Sequence, residues 1–128
     1  MTQTLVSQWL NKLPEAEKDL PLLLVSGNAY TPRMAYNEVM RGTSLGNQLQ
    51  ALIERGSFGT AYSDEQTIAR LRLEQRLKSQ PERPLFATLS GKVFTPSQLL
   101  AEIQEGTSIG SQWVNNEVSH MKALMQVR

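Results

Sequence analysis

The side chains best equipped for chemistry are few and scattered. His120 is the only histidine, and its nearest polar neighbours along the chain, Asn116 and Glu117, share its own helical stretch. A metal centre or a histidine-based triad needs partners brought together, so residue types alone leave His120 facing solvent. Cysteine is absent, which removes thiolate ligands, thiol nucleophiles and disulfides together and fits a reducing compartment. No H-E-x-x-H, no phosphate loop with its lysine and no G-x-S-x-G occurs. The expectation is a chain that is not an enzyme, with no catalytic residue, cofactor or metal.

Two small-residue turns are the next candidates. Gly42-Thr43-Ser44-Leu45-Gly46 and Gly106-Thr107-Ser108-Ile109-Gly110 each stand where a helix begins, and free amides there suit a phosphate or carboxylate. Thr43, Ser44, Thr107 and Ser108 are therefore candidate anion-binding residues. Simple capping competes, because Thr or Ser at a helix start satisfies the same amides; close packing of the second glycine would complete that account. Glu38 and Glu102 precede these turns. Paired carboxylates would serve acid–base work or hold a cation if they met, whereas the simpler role is a hydrogen bond to the backbone of the following turn.

Those residues recur at a fixed spacing. An offset of 64 carries Ser26-Gly27 and Thr31-Pro32 onto Ser90-Gly91 and Thr95-Pro96, and Glu38 and Gly42-Thr43-Ser44 onto Glu102 and Gly106-Thr107-Ser108. Between 26–46 and 90–110, nine of twenty-one positions are identical, where average residue usage gives about one or two. The chain reads as two copies of one unit, 1–63 and 64–128, forming together one compact domain with pseudo-twofold symmetry. The expected fold class is mainly α.

Each unit supplies the elements that must position these turns. Thr31-Pro32 and Thr95-Pro96 predict helix starts, proline suiting a first position whose N–H would be unpaired anyway. Gly42 and Gly106 predict their ends, and a second helix follows each turn. Before each helical hairpin lies a short apolar run, Leu22–Val25 or Leu85–Leu89, ambiguous between a strand and a helical turn, with a slight lean to helix. Leu5, Val6, Trp9, Leu10 and Leu13 predict an opening helix stopped by Pro14. Its counterpart runs from Ser63 or Asp64 to about Ser79, with Ile68, Leu71 and Leu77 inward and Arg70, Arg72, Arg76 and Lys78 outward.

The copies differ most at their ends. The last helix of the first copy fades near Arg55, while that of the second continues to about Val127 and carries Val114, Val118, Met121 and Met125 at 4-3-4 spacing. Trp113, Val118, Met121, Leu124 and Met125 are thus the expected contact surface for another protein or a second copy, methionine suiting an adaptable interface. The competing arrangement folds this stripe back onto Trp9 and Leu13.

Thirteen basic and twelve acidic residues leave a formal charge of +1, spread evenly. Nucleic acid and anionic membrane are accordingly not expected partners. The longest apolar run, Leu22–Val25, is far too short to span a bilayer, and the first residues lack a signal-peptide pattern, so a cytoplasmic location is expected. The expected function is a non-enzymatic protein-binding adaptor, assembly factor or regulator. The alternative is a DNA-binding transcriptional regulator, with Asn47, Gln48 and Gln50 as base readers. It lacks concentrated cations, and a large Glu38 or Glu102 occupies the position where DNA-binding hairpins carry a small residue.

Overall fold

The opening apolar pattern winds into α1 (Thr2–Lys12), and Glu15–Lys18 adds a single-turn α2. The computed structural model describes residues 2–126. Two strands follow, β1 (Leu23–Val25) and β2 (Asn28–Tyr30), then α3 (Pro32–Arg41) and α4 (Ser44–Arg55). A connector leads to α5 (Asp64–Lys78), strands β3 (Phe86–Ala87) and β4 (Val93–Phe94), and finally α6 (Pro96–Glu105) and α7 (Ser108–Met125). Among the described residues the architecture is thus mainly helical, with two separate two-stranded antiparallel ribbons. None of the described helices is long and apolar enough to cross a membrane.

The predicted caps form. The Thr31 hydroxyl accepts from the Met34 amide at 3.1 Å, and Thr95 makes a reciprocal capping box with Gln98. Gly42 and Gly106 close α3 and α6 in the left-handed region, at φ 68° and 71°. The two short apolar runs, in contrast, are strands and not helical turns. Ser26 and Gly27 both have positive φ, the requirement of a two-residue hairpin turn that follows the natural strand twist. Leu23 consequently pairs with Tyr30. In the second ribbon Phe86 pairs with Phe94, and three residues, Leu89–Gly91, make the loop. Leu89, in this longer loop, is fully exposed.

One continuous core runs through both halves. Val6 and Trp9 of α1, and Leu13 just beyond it, share this core with Leu49, Leu52 and Ile53 of α4, Ile68, Ala69 and Leu73 of α5, and the apolar stripe of α7. Trp9 Nε1 donates to the Leu124 carbonyl at 3.0 Å inside that core. Ile68 and Leu77 face inward as their spacing predicts, and Leu71 is half-buried. The outward assignment of Arg72 is overturned: it is completely buried. Residue 72 stands one turn beyond Ile68 on the same stripe, and α5 is sandwiched between α7 and the first half of the chain, so this face never reaches water.

Candidate functional site

The buried Arg72 organises the most unusual chemistry in the molecule. Its guanidinium reaches Glu17 of α2 at 2.5 Å, Glu117 of α7 at 2.7 Å and the Pro21 carbonyl at 3.1 Å. Both glutamates are themselves buried. Half-buried Arg76, one turn further along α5, closes on the other Glu117 oxygen. His120 Nε2 meets Glu17 at 3.1 Å, so its partner comes from α2 and not from Asn116 or Glu117 on its own helix. Burial pushes the Glu17 carboxyl up, but the hydrogen bond and charge of Arg72, with His120 adding, hold it below the ordinary carboxylate range.

Sequence reasoning missed this network, although a signal was present. Glu117 lies within the seam of Val114, Val118 and Met121, and Arg72 within that of Ile68 and Ala69. Opposite charges at seam positions of two packed helices are the pattern of a buried pair. Such a pair contributes little net stability but is costly to break on one side. Chemically, His120 and Glu17 form a carboxylate–imidazole pair, yet among the described residues no hydroxyl is hydrogen-bonded to that imidazole. Nor does any group of three or more metal-ligating side chains occur among them. The network ties α2, α5 and α7 together.

The expected contact surface on α7 needs correction. Val118, Met121, Leu124 and Met125 are all buried, Met121 completely. They pack within the chain's own core beneath α1 and α5, as the fold-back arrangement requires. Burying each such side chain contributes about 1.5–3 kcal/mol, so the stripe serves the fold. Only Trp113 stays half-buried.

The two turns are filled from within. The Thr43 hydroxyl accepts from the Gly46 amide at 2.9 Å and donates to Glu38 Oε2 at 2.7 Å. Thr107 repeats this with Gly110 at 3.2 Å and Glu102 Oε1 at 3.0 Å. Each glutamate therefore bonds its own turn, through the threonine hydroxyl, and its negative charge stands beside the place an anion would need. Ser44 and Ser108 are exposed first residues of α4 and α7. A Cβ on Gly46 would lie 2.3 Å from the Glu38 carbonyl oxygen, and one on Gly110 would lie 2.1 Å from that of Glu102. The second glycine of each turn is fixed by this close helix approach.

Trp113 leads to the surface that is open. It lies 5.3 Å from Phe86, which stacks on Phe94 at 5.0 Å, and Lys92 sits 5.0 Å above the Phe94 ring. On this aromatic base the β3–β4 ribbon exposes Leu85, Leu89 and Val93. The β1–β2 ribbon is different: Leu22 and Leu23 are completely buried, and the Leu24 amide donates to the Phe58 carbonyl of the connector at 2.7 Å. One ribbon is covered and the other projects. Comparison of the chain with protein-family models, curated proteins and solved structures finds no match.

Proposed function

We propose that this chain is a small, non-enzymatic protein-binding module, an adaptor or regulator acting in the cytoplasm, whose contact surface is the β3–β4 ribbon. The observation that carries this reading is the clustering of Leu85, Leu89 and Val93, three of the six large apolar side chains left exposed among the described residues, on one projecting ribbon. Clustered apolar surface on a small protein marks an interaction site more often than scattered residues do. Half-buried Trp113 forms part of its base. The duplication of units 1–63 and 64–128 is part of the same reading. It is supported by matched threonine caps, left-handed glycines and glycine-to-carbonyl contacts, and it makes the ribbons equivalent elements, one specialised for the core and one for binding. The DNA alternative has less support, since Arg41 pairs with Glu38 at 3.0 Å and Arg33 with Asp19 at 3.0 Å, leaving fewer cations for phosphates.

Parallel affinity capture from native lysate tests the proposal. Leu89→Glu/Val93→Glu should melt like the parent protein and lose the partner that the parent captures. Met121→Glu/Met125→Glu should instead unfold, because it drives charge into the core. Retention of the same partner by the ribbon variant would overturn the reading.

A further inference from the structure

The two ribbons present the same edge to different surroundings. The Leu22 and Leu85 amides donate to the Tyr30 and Phe94 carbonyls, at 3.0 and 2.8 Å, so Leu22, Leu23 and Leu24 correspond to Leu85, Phe86 and Ala87. In an antiparallel pair, successive amides of a strand point alternately toward the partner strand and away from it. The Leu24 amide points away and donates to the Phe58 carbonyl at 2.7 Å, which seats the connector on the outer edge of β1. In the second ribbon the Thr88 amide donates to Lys92, so that of Ala87 faces outward, and no acceptor meets it among the described residues. The connector has no counterpart there: Gly56 closes α4, whereas the position sixty-four residues on is His120, inside α7. Leu22 is accordingly buried while Leu85 is 39% exposed, and Ala87 is exposed as well. The charge around this edge has one sign. Residues 83–95 contain Arg83 and Lys92, both exposed, and no carboxylate. Glu82, just before them, is taken up by Ser97, whose amide and hydroxyl donate to it at 2.9 and 2.6 Å.

We infer, resting on the ribbon reading above, that the outer edge of β3 takes an extended, acidic segment of a partner protein by strand addition. A backbone carbonyl of that segment accepts from the Ala87 amide, as Phe58 does from Leu24. The small Ala87 leaves room for a large apolar side chain of the added strand to reach Leu85 and Val93. Carboxylates on the same segment meet Arg83 and Lys92, which sets its sign and favours its approach. A second copy of this chain fits the edge less well, since pairing β3 with β3 brings cations of both copies to one interface.

The probe is a capped peptide, Asp-Val-Ser-Phe-Ser-Val-Asp, with a control whose two ends are lysine, titrated into the full chain and followed by amide chemical shifts and hydrogen exchange. The acidic peptide should shift resonances of residues 85–93, move the Ala87 amide downfield and slow its exchange. It should bind about threefold or more tighter than the control, and Arg83→Gln/Lys92→Gln should abolish that preference. Ala87→Pro removes the outward amide at an edge position where proline is tolerated, and should weaken binding about fivefold or more. If that variant melts early, exchange at Ala87 in the parent chain decides alone. Strand addition is overturned by no localised shift up to about 10 mM, a concentration that saturates a millimolar site, or by equal binding of the control. It is also overturned if the peptide shifts Leu89 and Val93 while Ala87 exchange is unchanged; the ribbon then remains a contact surface without its edge. Failure of the ribbon reading itself shows elsewhere, as partner capture undisturbed by Leu89→Glu/Val93→Glu. Self-association that protects the Ala87 amide without peptide would assign the edge to a second copy and equally overturn it.

Discussion

Replacing Arg72 with methionine removes the only buried cation among the described residues while keeping most of its volume. Two buried carboxylates then lose their main partner. Glu17 keeps His120 at 3.1 Å, and Glu117 keeps half-buried Arg76, so neither is stranded completely. Breaking one side of a buried ionic network costs about 3–5 kcal/mol, and these residual contacts place the loss near the lower bound, at about 3 kcal/mol. For a chain of this length that corresponds to a fall in Tm of about 10–15 °C. Urea unfolding followed by circular dichroism reads it directly, as a lower midpoint at unchanged slope. The companion variant Glu17→Leu/Arg72→Met/Glu117→Leu removes the buried charge altogether. Arg76 and His120 are exposed enough to rehydrate, so it should return to within about 1 kcal/mol of the parent protein or exceed it. A single variant costing less than about 1 kcal/mol, or a triple variant as unstable as the single, would refute the reasoning.

The glycines at the helix crossings give a second test. Gly46→Ala and Gly110→Ala improve helix propensity by about 1 kcal/mol, but each new Cβ collides with a backbone carbonyl, and overpacking of this kind costs about 1–3 kcal/mol. Both variants should lower the urea midpoint, and a raised midpoint would contradict the close approach. A third test is acid titration of Glu17. A carboxyl held below its unfolded-state value stabilises the fold above that value and loses the contribution as pH falls through the folded one. The stability gap between the parent and Glu17→Gln should therefore be widest near neutrality and shrink below about pH 4; a gap independent of pH would show that folding leaves the proton affinity of the carboxyl unchanged.

Helix boundaries were legible because their chemistry is local and nearly one-to-one. Thr-Pro starts a helix and glycine after the last turn ends it, whatever the rest of the chain does. The ribbons were not legible, since two or three paired residues carry no period, and the positive φ at Ser26 is a property of the folded hairpin. The network around Arg72 was hidden for a different reason. Residue type argued for solvent while position argued for the core, and only the packing of α5 between α7 and the first half decides in favour of position. The apolar stripe of α7 was legible as a stripe, but what covers it depends on where α1 lies.

The hydrogen bond from Trp9 to Leu124 joins residues 115 apart, and this has a consequence for the order in which the protein matures during synthesis. At ribosomal speeds of about 5–20 residues per second, roughly 6–23 s separate the appearance of the indole from that of its acceptor. Through that interval the inner face of α1 has no final turn of α7 to settle against, so the first half emerges with its largest core side chain still uncovered. Closure waits for the second half. A ribosome-held chain stalled before Leu124 would therefore show Trp9 emission characteristic of water, and release of the last residues would shift it to the blue as the two ends of the chain meet.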